Sequence, residues 1–357
     1  MKPPGQGFQV GVVGSSSLLG QELARVLQER AFPVSRLLSF ETDAEEPDLP
    51  ILDLSASLDA EPAGGEVGAT ELDFLFLADR PRTSSEQLPL LGPALEAARL
   101  SASDRPAHCA VIDMADALGE SAGPAPAAIS RIPFLERTTQ NAQPGAHARL
   151  FASIHPAAIA LCALVLRLGA RLPLKNAVAQ IFSPVSEIGS RAIDELQKQT
   201  TSILSFQPYP QKTFGAQLAF NLLAHLGGKR DSDLTARECR IHNQVREYLA
   251  GRFPVPALKV TQVPVFYSLA LSVYVETAQA VAPEAAEAAL AGEHLRVRRR
   301  GEPASSPVDA AGSGDILVDN IRRDPANPAG FWIWAVVDNI RLAAENAVEI
   351  AQSLTKR

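Results

Sequence analysis

Phe8-Gln9-Val10-Gly11-Val12-Val13-Gly14-Ser15-Ser16-Ser17-Leu18-Leu19-Gly20 reads as a buried strand running into a tight turn. The valines at 10, 12 and 13 have the β-branched character of a strand. Gly14 and Gly20 bound the turn, and Gln21 to Arg30 continue as an amphipathic helix with Leu23, Val26 and Leu27 on one face.

A strand, a glycine-bounded turn and a helix open a Rossmann-type unit, in which the helix N-terminus presents backbone N–H groups to a pyrophosphate. Gly14, Ser15, Ser16, Ser17, Leu18, Leu19 and Gly20 are therefore the candidate cofactor-binding residues. Ser17 stands where such turns usually carry a middle glycine. It costs closeness to a ligand, yet its hydroxyl can donate to an anion.

Working outward, strands are expected at Ser35–Phe40, Asp73–Ala78 and Ala107–Asp113, with a helical stretch over Leu90–Leu100. Alternating β and α elements imply a mostly parallel sheet covered on both faces. The Pro-, Gly-, Ala- and Thr-rich stretch Gly119–Gly145 is read as the end of this unit. A long helix is expected from Pro156, then a strand (Ala177–Phe182), a helix (Gly189–Gln199), a loop (Phe206–Gly215) and a helix (Ala236–Leu249). Strands at Lys259–Val265 and Ser268–Val275 make the second domain α+β. Asp338–Leu354 is an amphipathic helix suited to packing back on the first domain. The expected architecture is α/β. Residues 1–152 plus 335–357 form a Rossmann-type parallel sheet domain, and 153–334 form an α+β domain inserted before the C-terminal helix.

Composition narrows the function. The chain has 357 residues, 46% of them hydrophobic, which is ample for two cores. A net charge of -7 argues against a nucleic-acid partner, and the basic run Arg296, Arg298, Arg299, Arg300 is too short to change that. The apolar run Ala157–Leu166 is too short to span a membrane, and the N-terminus lacks a secretion signal, so a cytoplasmic location is expected. Cys109, Cys162 and Cys239 fit neither a metal motif nor a disulfide framework.

A set of landmarks then falls in a telling order. After Gly14–Gly20 come Val111-Ile112-Asp113, Ser153-Ile154-His155-Pro156, Val185-Ser186 with Gly189, and Phe220-Asn221-Leu222. Val263-Pro264-Val265, Asp338-Asn339-Ile340-Arg341 and Asn346-Ala347-Val348 complete it. The set spans nearly the whole chain and resembles aspartate-semialdehyde dehydrogenase and its relative N-acetylglutamyl-phosphate reductase. It is most similar to the Usg-type homologues that lack the catalytic cysteine. The resemblance implies an NADP-dependent reaction of amino-acid biosynthesis. A thiolate attacks the carbonyl, a histidine handles protons, and two arginines and a lysine hold the carboxylate and phosphate. It also implies that the second domain is a dimerisation domain. A homodimer is expected, and a heteromer with a true dehydrogenase is the other arrangement the reading allows.

The positions that match the family's catalytic residues are degenerate. Ala158 takes the place of the nucleophilic cysteine, and Leu269 that of the histidine. Gln262 stands for one arginine and Gly119 for the other, with Asp116 adding negative charge nearby. Arg240 aligns with the lysine, Ser183 with a glutamine, and Glu187 and Ile188 with small glycines. Cys162 reads as core, and His155 as a surface or capping residue. Neither alanine nor leucine can do a nucleophile's or a base's work.

The acidic loop Glu41–Glu46 would repel a 2′-phosphate, so NADP is disfavoured. Glu41 or Asp43 can accept from a ribose 2′-OH, which leaves NAD open, while no metal is expected. Asp79, Arg80 and Pro81 replace small residues expected near the nicotinamide. The first reading is thus a catalytically silent homologue. The second is an NAD-linked oxidoreductase using another constellation, drawn from His155, Ser183, Glu187, His225 and Arg240, whose spacing does not show them converging. The third is an ordinary dehydrogenase using Cys109 or Cys239, neither of which lies at a helix start.

Overall fold

The computed structural model describes residues 7–40, 60–62, 72–79, 109–117, 128–139, 148–226, 234–299 and 301–355. The chain divides into two compact units, Met1–Ile154 with Ala343–Arg357, and His155–Leu342.

The first unit carries β1 (Phe8–Val13), α1 (Leu18–Glu29), β2 (Val34–Phe40), β3 (Ala60–Pro62), β4 (Phe74–Leu77), β5 (Ala110–Asp113), β6 (Ile129–Ser130), α2 (Pro133–Thr139) and β7 (Leu150–Ala152). Its seven strands form one sheet in the order β3-β2-β1-β4-β5-β7-β6, with every adjacent pair parallel. The sequence of β4, Phe-Leu-Phe-Leu, is buried throughout, as a parallel strand covered on both faces must be. Its side chains alternate between two cores. Phe74 and Phe76 pack with Val10, Val12, Leu23, Val26 and Ile112, and Leu75 and Leu77 pack with Val13, Leu38 and Val111. Phe8 and Phe32 meet Phe74 edge-on, at centroid distances of 5.3 and 5.4 Å.

The C-terminal helix (Asn339–Thr355) closes this unit: Ala344, Ala347, Val348 and Ala351 lie in the same core as Val10 and Leu23. Its return to the first unit falls at Ala343 rather than at 335, because the strand over 330–337 belongs to the second sheet.

The stretch read as the first unit's irregular end contains β6 and α2, and β7 follows it into the sheet. Long-range bonds that no local pattern reveals hold this region. The side chain of Arg131 is 2% exposed. Its Nε donates to both Glu136 oxygens at 3.1 Å, and Nη1 donates to Ser353 Oγ at 3.0 Å. Asn346 Nδ2 donates to the Arg131 carbonyl and to Ser153 Oγ. The expected helix over 90–100 lies outside the described residues.

The second unit begins with α3 (Pro156–Gly169), whose apolar residues are buried all round, and β8 (Leu174–Ser183). Then come α4 (Ser190–Leu204), α5 (Leu234–Leu249), β9 (Ala257–Gln262), β10 (Leu269–Thr277), α6 (Pro283–Leu290), β11 (Leu295–Val297), α7 (Pro307–Ala310), β12 (Ile316–Arg323) and β13 (Gly330–Val337). The six strands form a mixed sheet in the order β11-β12-β13-β10-β8-β9. The β8 and β9 strands run parallel, and their final residues, Ser183 and Gln262, are register partners.

Removing one member of a buried ion pair leaves the other unpaired, at a cost of about 3–5 kcal/mol, whereas an apolar replacement of both is far milder. Arg131→Met is therefore expected to destabilise the protein by that amount in urea unfolding. The double variant Arg131→Met/Glu136→Leu should recover most of the loss.

Candidate functional site

The ends of β8 and β9 bring Ser183 and Gln262 side by side, both fully buried. A 3₁₀ turn (Val185–Glu187) follows β8 and delivers Glu187 beside them. Three bonds fix that turn. Val185 and Ser186 donate their N–H groups to the carbonyls of Val265 and Phe266, and Ser186 Oγ donates to Asn339 Oδ1. Gly189 ends the turn at φ +115, a conformation that favours glycine.

Glu187 is 6% exposed and is enclosed by polar groups. Its Oε2 accepts from Ser183 Oγ at 2.5 Å and from Arg237 Nη1 at 3.0 Å. Arg237 Nη1 also donates to Ser183 Oγ at 2.6 Å, and Gln262 Nε2 donates to the Ser183 carbonyl at 2.8 Å. On the other side, Glu187 Oε1 lies 3.2 Å from His155 Nε2.

His155 is the N-cap of α3: its Nδ1 accepts from the Ala157 N–H at 3.1 Å. Its own N–H donates to Gln244 Oε1 on α5. An Nδ1 that accepts from a backbone N–H carries no proton, so the hydrogen sits on Nε2 and faces Glu187. Burial pushes the His155 pKa below its ordinary value of 6.5, against the pull of Glu187, and Arg240 and Arg237 push the same way. The positive end of the α3 dipole also disfavours a cation there. Burial alone would raise the Glu187 carboxyl. The nearby His155 and Arg237 and the hydrogen bond from Ser183 outweigh it and hold the group at about 2. The cluster is thus a carboxylate, a guanidinium and a neutral imidazole whose Nδ1 caps the helix and whose Nε2 edge lies against the carboxylate.

Three of the five residues named for an alternative constellation, His155, Ser183 and Glu187, do converge here. Arg240 is half-buried on α5 and acts on His155 through its charge, while His225 is exposed. The capping role expected of His155 holds, but the residue is buried rather than on the surface. Arg237 was not anticipated. The signal was its place on the apolar stripe Leu234, Arg237, Ile241, Val245, Tyr248 of α5, all buried.

Ala158 is fully buried in the first turn of α3, and Leu269 is fully buried at the start of β10. Cys162 lies in the core of α3, where burial pushes its thiol far up. Cys109 is buried at the edge of β5, and burial with the Asp73 charge pushes its thiol up to about 12. Cys239 is exposed in the middle of α5. Gly119 and Glu41 lie outside the described residues. Among the described residues, no group of three His, Cys, Asp or Glu side chains could hold a metal ion, and no helix is long and apolar enough to cross a membrane.

The turn Gly14–Gly20 follows β1, beside the end of β4, where the strand order reverses. Ser17 caps α1: its Oγ accepts from the Gly20 N–H at 3.0 Å and donates to the Ala78 carbonyl at 3.3 Å. The hydroxyl expected to be open to an anion is therefore spent within the fold. Gly14 has φ +73, and a Cβ there would lie 2.4 Å from that of Asp79. A Cβ on Gly20 would lie 2.2 Å from the Gly14 carbonyl oxygen. Packing inside the turn accounts for both glycines. Ser17 Oγ is spent on Ala78 and the Asp79 Cβ packs against Gly14, so neither offers a donor to the dinucleotide that the resemblance implies.

Residues 168–342 match the family described as semialdehyde dehydrogenase, dimerisation domain. The whole chain is 32% identical to a USG-1 protein homolog of Pseudomonas aeruginosa, over 98% of each sequence. It is 26% identical to an aspartate-semialdehyde dehydrogenase of Prochlorococcus marinus, over 99% of this chain and 98% of that one. A solved structure of a probable aspartate-semialdehyde dehydrogenase from Pseudomonas aeruginosa aligns with a TM-score of 0.77, at 26% identity and over 99% of each chain.

A histidine whose folded pKa is depressed adds stability above pH 6.5, and this is lost as pH falls from 6.5 towards the folded value. The Glu187 contribution is complete above its ordinary 4.5 and fades only as pH falls towards about 2. Between pH 6.5 and 5 the slope due to His155 should reach at most about 1.4 kcal/mol per pH unit. His155→Asn keeps a capping acceptor without the titration, so its urea midpoint should fall less than the wild type's over that window.

Proposed function

Because the chain belongs to the aspartate-semialdehyde dehydrogenase family, we propose that it is a member without that activity, serving as a structural, regulatory or assembly partner. The observation that carries this reading is the first turn of α3. The resemblance requires a thiolate there, and the turn offers the methyl groups of Ala157 and Ala158 behind a histidine cap tied into a buried ion pair. A helix start lowers the pKa of a thiol placed on it, and Cys109 and Cys162 have the opposite environment. Leu269 cannot move a proton, and Gln262 spends its amide on the Ser183 carbonyl. The turn at Gly14–Gly20 supports the same conclusion for the cofactor, whether NAD or NADP.

The family domain matched over 168–342 takes its name from dimerisation, which supports a homodimer. A heteromer with a true dehydrogenase is the alternative assembly, separable by co-expression and light scattering.

The test is a direct assay of semialdehyde oxidation in phosphate with NAD or NADP, alongside calorimetric titration of both nucleotides. No turnover and no binding heat are expected. Turnover in the wild-type chain would overturn the proposal. Ala158→Cys should also stay inactive, because a restored thiol would still lack its base.

A further inference from the structure

We propose that the cluster at the ends of β8 and β9 is a receptor for a small carboxylate, that Glu187 supplies this carboxylate from within the chain, and that without it the site takes a free one such as formate or acetate. The inference does not rest on the absence of catalysis, since it concerns what the cluster binds.

The donors surround one point in space. Ser183 Oγ at 2.5 Å and Arg237 Nη1 at 3.0 Å converge on Glu187 Oε2, and the imidazole edge meets Oε1 at 3.2 Å. They come from three separate elements, α3, β8 and α5, with Gln262 of β9 bracing Ser183. A hydroxyl and a guanidinium that donate to one oxygen in a buried setting, with a neutral imidazole edge beside the other, recognise a carboxylate. Arg240 adds a second positive charge close enough to oppose protonation of His155. Removing the Glu187 carboxylate would leave Arg237 buried beside that charge without its anion, which is strongly unfavourable.

Glu187 does not satisfy the imidazole fully, since its Oε1 meets the ring edge outside hydrogen-bonding alignment. Glu187 also arrives on a short turn rather than on the strands and helices that hold its partners. The receptor therefore belongs to the scaffold, and its occupant to a connection.

The experiment compares thermal midpoints of the full chain in sodium formate or acetate and in sodium chloride at matched ionic strength. Wild type should not distinguish the salts. Glu187→Ala should melt lower in chloride and rise by about 2–4 °C in formate or acetate, as a ligand binding only the folded state requires. Arg237→Ala added to Glu187→Ala should abolish that rise. Glu187→Gln keeps the space filled and should show no salt preference. Equal responses of Glu187→Ala to the two salts would overturn the proposal, as would a rise that survives loss of Arg237 or that also occurs in Glu187→Gln. If Glu187→Ala does not stay folded in chloride, its refolding yield from urea replaces the midpoint. A higher yield in formate supports the receptor, and an equal yield overturns it.

Discussion

A carboxylate inside a protein is tolerable only where fixed dipoles and charges replace its water. Glu187 is such a carboxylate, and much of the second unit is arranged around it. The β8 and β9 strands must end level so that Ser183 and Gln262 lie together. The α5 helix must place an arginine on its apolar face, and α3 must begin with a histidine that is both cap and neighbour. A shift of any one element would expose a charge or orphan a donor. Polar groups of this kind do not add much net stability. They penalise alternatives, since a misregistered sheet or a rotated helix leaves an uncompensated ion.

The first unit answers a related problem differently. Its turn at the strand-order reversal is held by internal contacts: a serine cap, a carbonyl and two glycines pressed against neighbouring atoms. The turn keeps the outward form of an anion-binding loop while the Ser17 hydroxyl serves the fold, which a glycine pattern alone could not reveal.

Local chemistry was legible in the sequence. The extent of β1 matches its reading residue for residue, because β-branched residues and a bounding glycine mark both ends. The long helix from Pro156 and the C-terminal helix follow from a proline in the first turn and from apolar periodicity. The aligned positions Ser183 and Gln262 do meet. What stayed hidden depends on pairing across the chain. The strand Ile129–Ser130 is two residues long and exists only because β7 accepts it. The partnership of Glu187 with Arg237 joins residues fifty apart, and an arginine on a helix reads as solvated unless its neighbours at three- and four-residue spacing are weighed with it.

The first unit also takes its core from both ends of the polypeptide. Val10, Leu23 and Phe74 share a core with Ala347, Val348 and Ala351, and the whole second unit is translated in between. During synthesis the inserted unit has its complete sequence first. The leading sheet must wait on the ribosome with an apolar stripe uncovered until the last helix emerges. Birth order and fold order are therefore reversed in this chain, and its earliest-made surface is the one in longest need of protection.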